Sequence, residues 1–187
     1  MSEATIAIIP CTNQKSETGG PAREVWVGSH FQLILAHVEM FYDEVYIMSY
    51  KYGLIKPDFH IEPYDIDIRI AAAADKLKWW YQLRKQIHEL CETEPLLVSL
   101  YTGDFERDRI IREFVRCGVR QVLIPFRGKS IGQRMAEVWD MEEPYNREKA
   151  KEHSYDLPAS YGENIEKGQG NKYLPPPTAL TDEVEWE

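Results

Sequence analysis

Four polar clusters in this sequence contain side chains that could bind a ligand and act on it. They occupy residues 11–15, 50–54, 102–107 and 126–130. Each cluster follows a short apolar run, and together they supply hydroxyl, ammonium, guanidinium and carboxylate groups. If the runs are neighbouring parallel strands, the clusters emerge at one edge of a sheet, where open α/β sheets bind their ligands. The spacing therefore predicts one site assembled from distant segments.

Three acidic residues are the candidates for catalytic carboxylates. Asp104 begins a predicted helix, where the macrodipole would keep its carboxylate ionised. It could stabilise an oxocarbenium-like centre of the substrate, or it could be an ordinary helix cap. Glu62 and Asp65 lie in a long segment of residues 57–65 that lacks helical or strand periodicity. They could act as a general acid and base, with Tyr64 stacking on a base or donating to an oxyanion. The alternative is a structural turn.

The remaining polar residues are candidates for substrate binding. Backbone amides near Lys15 could hold an anion, and Gly53 predicts either a positive φ or a close ligand approach. Residues 126–134 resemble the end of a phosphate loop, but Leu123 stands where that motif requires glycine, so only a weaker anion site is predicted. The predicted substrate-binding residues are Cys11, Thr12, Lys15, Ser49, Lys51, Tyr52, Gly53, Tyr101, Gly103, Arg127, Lys129, Ser130, Gln133 and Arg134.

The elements that would position these residues alternate between strand and helix. Apolar runs at 5–10, 44–49, 95–101 and 121–125 are typical of strands covered on both faces, and helical spacing appears at 22–41, 71–92, 104–117 and 130–140. Trp79 and Trp80 point about 100° apart on a helix, which predicts one in the core and one at the surface or in an interface. We predict an α/β fold: an open, mainly parallel four- to five-stranded sheet with helices on both faces, plus an extended C-terminal tail.

Composition divides the chain near residue 140. With 187 residues and 43% apolar content, the chain can build one domain over residues 1–140. Residues 141–187 carry eleven acidic and five basic side chains, and we interpret them as an acidic, Pro- and Gly-containing tail that is either disordered or packed as an arm, wrapped or exchanged in a homodimer. The absence of any apolar run of about 20 residues predicts no membrane partner. Three scattered cysteines, and an N-terminus without a basic stretch and an apolar signal core, predict a cytoplasmic protein. Because no cysteine has CxxC or Cys/His zinc spacing, we predict no metal, and we predict no cofactor.

The distribution of charge gives a mixed prediction about nucleic-acid binding. The chain has a net charge of −9, of which residues 141–187 carry the larger part, so the core lacks a general basic footprint. Arg109, Arg112 and Arg116 nevertheless have the spacing of one helix face. They form either a solvated surface paired with neighbouring acidic residues or a strip that tracks phosphates.

Blocks between residues 10 and 65 resemble a known family. Pro10-Cys11-Thr12-x-x-Lys15, Lys51-Tyr52-Gly53-Leu54 and Glu62-Pro63-Tyr64-Asp65 are similar, in this order, to the uncharacterised YaaA-like proteins of bacteria and phages, which are related to tRNA-guanine transglycosylase accessory domains. The resemblance implies an α/β fold and an association with nucleic acid or modified nucleobases. The sequence has Trp26 where a tyrosine is commoner in that family, and Tyr52 where a histidine is frequent.

Three functions are compatible with these observations. The preferred hypothesis is an enzyme that releases or exchanges a base at the N-glycosidic bond of a nucleotide or nucleic acid, with a carboxylate stabilising the anomeric centre. The alternatives are a noncatalytic protein that binds nucleotide or nucleic acid, and a phage or host protein-interaction module. Carboxylates beside a phosphate clamp favour the enzyme, because they would repel the ligand of a pure binder.

Overall fold

A five-stranded, mostly parallel sheet forms the centre of the molecule. The computed structural model describes residues 4–93, 95, 97–103, 106–130, 132–134 and 138. In chain order, the strands are β1 (Thr5–Pro10), β2 (Gly20–Pro21), β3 (Glu44–Ser49), β4 (Gly53–Ile55), β5 (His60–Ile61), β6 (Leu97–Leu100) and β7 (Gln121–Leu123). The main sheet has the order β4-β3-β1-β6-β7, in which only β4 is antiparallel, and β2 pairs with β5 separately. The predicted fold class is confirmed.

Helices cover both faces of this sheet. They are α1 (Ala22–Val25), α2 (Ser29–Phe41), α3 (Ala73–Cys91) and α4 (Arg107–Arg116). Because side chains alternate along a strand, Ile6 and Ile8 of β1 pack with α3 and α4, whereas Ala7 and Ile9 pack with α1 and α2. The apolar runs are continuous because both faces of each central strand are buried.

Two predicted helices begin or end at other residues than expected. The helix predicted over 22–41 is interrupted, because the backbone of the buried Trp26 forms a bridge with Lys15 instead of continuing α1. The helix predicted from residue 104 begins at Arg107 with Glu106 at the N-cap position. The predicted cap, Asp104, lies outside the described residues. Gly118, with φ +83°, follows the end of α4 as predicted.

The prediction for the tryptophan pair was wrong, since Trp79 and Trp80 are both buried. Helix α3 is covered by the sheet on one side and by α4 on another, so two adjacent positions can both lie in the core. The Trp79 indole Nε1 donates to the Ser49 carbonyl at 2.9 Å, and the Arg109 guanidinium lies 3.9 Å from the Trp80 ring. Trp79 thereby fastens α3 to the end of β3.

The tail predicted for residues 141–187 lies outside the described residues, and so does most of the helix predicted over 130–140. Across the part of the chain that the structure describes, no helix is both long enough and apolar enough to cross a bilayer.

Candidate active site

The polar loops that follow β1 and β3 meet at the carboxyl edge of the sheet. Residues 6–10 of β1 pair with β3, and the Cys11 amide continues the pairing by donating to the Met48 carbonyl at 3.1 Å. Two predicted clusters, at residues 11–15 and 50–54, are therefore neighbours in space. The segment after β5 returns to this edge and adds Tyr64.

A directed hydrogen-bond chain joins Ser49, Tyr64 and Cys11. The Ser49 hydroxyl oxygen accepts the amide protons of Lys51 and Tyr52, at 3.2 and 3.1 Å, which stabilises the turn between β3 and β4. Since those bonds occupy its acceptor sites, Ser49 donates its own proton to the Tyr64 oxygen, 2.7 Å away. The Tyr64 hydroxyl in turn donates towards the Cys11 sulfur at 3.9 Å.

The three groups of this hydrogen-bond chain are neutral. Burial is the main cause that raises the pKa of the Tyr64 hydroxyl far above its ordinary value, and the neighbouring Cys11 raises it further. Burial also raises the pKa of the Cys11 thiol, despite hydrogen bonds from Tyr50 and Tyr64 that oppose the effect. A protonated thiol is a poor nucleophile. Cys11 therefore serves as a small buried acceptor, and Tyr64 as a fixed hydrogen-bond donor.

Two lysines converge on the ring of Tyr64. The Lys15 ammonium lies 4.9 Å from its centroid, and the Lys51 ammonium lies 5.9 Å from the same centroid and 5.0 Å from that of Tyr52. The Tyr52 and Tyr64 rings meet edge to face at 5.8 Å, and Phe59, half exposed, packs against Tyr52 at 6.2 Å. The result is a wall of three aromatic rings with two ammonium groups beside it, a combination that suits an anionic ligand with a planar ring.

Backbone contacts from other elements hold the loop that carries Lys15 in place. The Lys15 bridge to Trp26 and the hydrogen bond from the Val27 amide to the Gln14 carbonyl, at 3.2 Å, fix the loop after β1 beside α2. Thr12 lies in the same loop, and its hydroxyl would be 3.4 Å from a Cβ at Gly28. A glycine at position 28 thus lets the loop approach the start of α2.

The turn that carries Lys51 and Tyr52 is held from the other face of the sheet. The Gln86 side chain of α3 accepts from the Leu54 amide at 2.8 Å and donates to the Leu54 and Tyr52 carbonyls at 3.0 and 3.2 Å. Gly53 has φ +69°, as predicted, and a Cβ there would lie 1.9 Å from the Gln86 amide oxygen. Both the turn geometry and the approach of Gln86 require glycine.

Other residues of the site were missed by sequence reasoning. Asp67 binds the Arg69 guanidinium through two oxygens at 2.8 and 2.6 Å, and Arg69 lies 5.7 Å from the Tyr50 ring. Arg69, with Lys15 as a weaker contributor, lowers the pKa of Asp67, so this carboxylate is ionised. Burial raises the pKa of Tyr50 to about 12. The aperiodic stretch of residues 57–65 marked the region. Nothing in it indicated that Asp67 and Arg69, just beyond this stretch, would pair with each other beside Tyr50.

The predicted catalytic carboxylates occupy exposed positions in the described part of the chain. The Glu62 side chain is 73% exposed and lies 3.8 Å from His60, and Asp65 is also exposed. Neither is buried beside the Tyr64 hydroxyl. The third candidate, Asp104, cannot be placed because it lies outside the described residues.

The loops after β6 and β7 contribute differently from the prediction. Tyr101 is fully buried, with its hydroxyl 3.1 Å from that of Tyr42 and its ring against Phe126, so it belongs to the core. Ser130 and Gln133 cap each other: the Ser130 amide donates to the Gln133 side chain at 2.8 Å, and the Gln133 amide donates to the Ser130 hydroxyl. The two residues thus stabilise a helix start.

Four further predicted residues lie near these loops. Arg134 donates to the Lys129 carbonyl at 2.8 Å and lies beside the Phe126 ring, which ties the loop after β7 together. Arg127 is exposed, and Lys129 and Gly103 are partly exposed. The described contacts join none of them to Lys15 or Lys51. The residues that the structure does bring together are Cys11, Lys15, Ser49, Lys51, Tyr52 and Tyr64.

The comparison with known proteins gives a family and no activity. Residues 6–139 match the model of a family of unknown function, DUF6884, and the chain belongs to that family. No curated protein and no solved structure matches the chain. The resemblance to YaaA-like proteins stays a prediction. Within the described residues, no group of three His, Cys, Asp or Glu side chains could hold a metal ion.

Proposed function

We propose that this protein binds a nucleotide at the carboxyl edge of β1 and β3, with phosphate at Lys15 and Lys51 and the base against Tyr52 and Tyr64. The observation that carries the proposal is the convergence of both ammonium groups on the ring of Tyr64. Charge-assisted hydrogen bonds to phosphate are strong, and a base can stack on an aromatic face. Cysteines that remain free thiols are consistent with action in the cytoplasm.

The neutral hydroxyl chain supports the same conclusion. A phenol that remains protonated at pH 7 can donate to a phosphate or carbonyl oxygen without repelling it. Ser49 positions the Tyr64 hydroxyl, and both lysines lie beside the Tyr64 ring. A ligand oxygen at this hydroxyl would accept the proton that the unliganded site directs towards the Cys11 sulfur, 3.9 Å away. The site therefore offers two cations and one neutral donor to an anionic ligand.

Calorimetric titration with nucleoside monophosphates of each base, free bases and inorganic phosphate tests the proposal. The Lys15→Ala and Lys51→Ala variants should each weaken nucleotide binding by roughly 10- to 100-fold, the equivalent of about 1.5–3 kcal/mol for a charged hydrogen bond. Lys85→Ala removes an ammonium from an exposed position of α3 and should leave binding unchanged. Equal affinity in all three variants would refute the assignment of this site.

Cleavage or exchange at the N-glycosidic bond is the second candidate, and Asp67 is the observation that favours it. This carboxylate is ionised because its pKa is lowered, mainly by the hydrogen bonds of Arg69 and least by the charge of Lys15. An oxocarbenium-like centre would be stabilised by such a group. Release of free base from nucleotides, single-stranded DNA, duplex DNA and tRNA measures the activity. The carboxylate that acts is identified by loss of base release in one of four variants: Asp67→Asn, Asp65→Asn, Glu62→Gln or Asp104→Asn. If the wild type binds nucleotide but releases no base, the enzyme hypothesis is refuted and only nucleotide binding remains.

A further inference from the structure

The helices on the two faces of the sheet differ in charge. α3 and α4 together carry eight basic and four acidic side chains, whereas α1 and α2 carry one basic and two acidic ones. The chain as a whole has a net charge of −9. Because salt screens charges beyond about 10 Å at 0.1 M, a partner at the α3–α4 surface responds mainly to the local excess of positive charge.

Two arginines and a histidine on this surface share one buried carboxylate, Glu113. Its oxygens accept from Arg116 at 2.7 Å and from the Arg84 Nε at 3.2 Å, and the His88 Nε2 lies 3.2 Å away. The Glu113 side chain is 5% exposed, while those of Arg84 and Arg116 are 38% and 35% exposed. One carboxylate cannot neutralise two guanidinium groups, so this Glu113 cluster keeps a positive charge that faces water.

The cluster holds its guanidinium groups ready for another acceptor. In the described contacts, Arg84 uses its Nε and Arg116 one Nη atom, so further N–H donors of both remain. A planar guanidinium matches the oxygens of a phosphate better than an ammonium does. A buried carboxylate that fixes two such groups reduces the entropy lost when they bind.

We propose that the Glu113 cluster is a phosphate-contact site by which the α3–α4 surface binds the backbone of a nucleic acid. The excess of basic residues along two packed helices suits a polymer of repeated negative charges. The C-terminal halves of α3 and α4 lead into β6 and β7, so the cluster lies towards the amino ends of these strands. It is therefore separate from the site at Tyr64, and the inference stands without the proposed nucleotide binding.

Fluorescence anisotropy with labelled single-stranded DNA, duplex DNA and RNA oligonucleotides over a range of salt concentrations tests the inference. We compare the wild type with a triple variant, Arg84→Gln, Glu113→Gln and Arg116→Gln, in which the buried carboxylate is also removed so that no unpaired charge stays in the core. The control is Arg23→Gln with Lys56→Gln, which removes two cations at other places and changes the net charge more than the triple variant does.

The wild type should bind with an affinity that falls steeply with salt. In the triple variant the salt slope should decrease by about two and the affinity at low salt should fall roughly tenfold, while the control stays close to wild type. Equal losses in the triple variant and the control, or no salt-dependent binding by the wild type, would overturn the proposal. So would equally tight binding of a poly-glutamate chain, which would show recognition of acidic polypeptide.

Arginine-selective labelling of the unmodified protein gives an answer even if the triple variant fails to fold. Phenylglyoxal should modify Arg84 and Arg116 more slowly when the oligonucleotide is bound, and Arg23 at an unchanged rate. If the oligonucleotide does not change the labelling rates of Arg84 and Arg116, the assignment is refuted. Variants at Lys15 and Lys51 should leave this protection intact, so failure of the nucleotide proposal can be distinguished from failure here.

Discussion

Gln86 should be the residue on which the geometry of the candidate site depends most, although it lies on the opposite face of the sheet. Its side chain makes three hydrogen bonds to the backbone of the turn between β3 and β4. Each neutral bond contributes about 0.5–1.5 kcal/mol, and a buried amide left without a partner costs about 1–3 kcal/mol. Because Leu54 is buried, Gln86→Ala should lower the free energy of unfolding by roughly 2–4 kcal/mol.

Urea denaturation measures this loss, and amide hydrogen exchange locates it. The Leu54 amide should exchange much faster in Gln86→Ala, because its acceptor is the Gln86 side chain. Gln82→Ala is the matched control: Gln82 lies one turn earlier on α3 and is exposed, so its truncation should change stability by less than about 0.5 kcal/mol. If both variants have the same stability and Leu54 exchange is unchanged, the turn does not depend on Gln86.

Three further predictions concern the same core and site. Tyr64→Phe should lower stability by about 1–2 kcal/mol, since it removes a partly buried hydrogen-bonded hydroxyl, whereas Tyr81→Phe should stay within about 0.5 kcal/mol in the same urea assay. Gly53→Ala should cost at least about 1–2 kcal/mol because of its positive φ, while Gly132→Ala, in an open helical position, should be neutral or stabilising by thermal unfolding. Burial lowers the pKa of His37, so the neutral imidazole is favoured in the folded state; its contribution is complete above the ordinary value of 6.5 and is lost as pH falls. Wild-type stability should therefore decrease more steeply between pH 7.5 and pH 5 than that of His37→Met, and parallel curves would contradict this.

The sequence predicted the parallel sheet well because its signal is local. A strand buried on both faces must be apolar throughout, and the runs at 5–10 and 44–49 match β1 and β3 residue for residue. The antiparallel strand β4 has only three residues and was missed. The interruption after α1 was also missed, because Trp26 continues the helical apolar pattern and is extended only through its pairing with Lys15.

The site was predictable where a residue ends a strand or lies in the loop that follows it. Cys11, Lys15, Ser49 and Lys51 come together because β1 and β3 are neighbours, which follows from the topology of the fold. Tyr101 has the same position relative to β6, yet it is in the core. A residue at the end of a strand can point into either layer, and the sequence does not show which layer has room for a large ring.

The contribution of α3 illustrates what local patterns cannot show. Trp79 binds the Ser49 carbonyl and Gln86 binds the turn that follows, so one helix face holds the same turn at two places. The ligand, by contrast, would meet Lys51 and Tyr52 from outside. Binding should therefore stabilise a segment that is already fastened by α3, and a nucleotide bound at the proposed site should slow exchange of the Leu54 amide in the wild type. In Gln86→Ala the ligand would also have to order the turn, so its affinity should fall even though Gln86 makes no proposed contact with it. Unchanged affinity in a variant with a loosened turn would show that the ligand binds elsewhere.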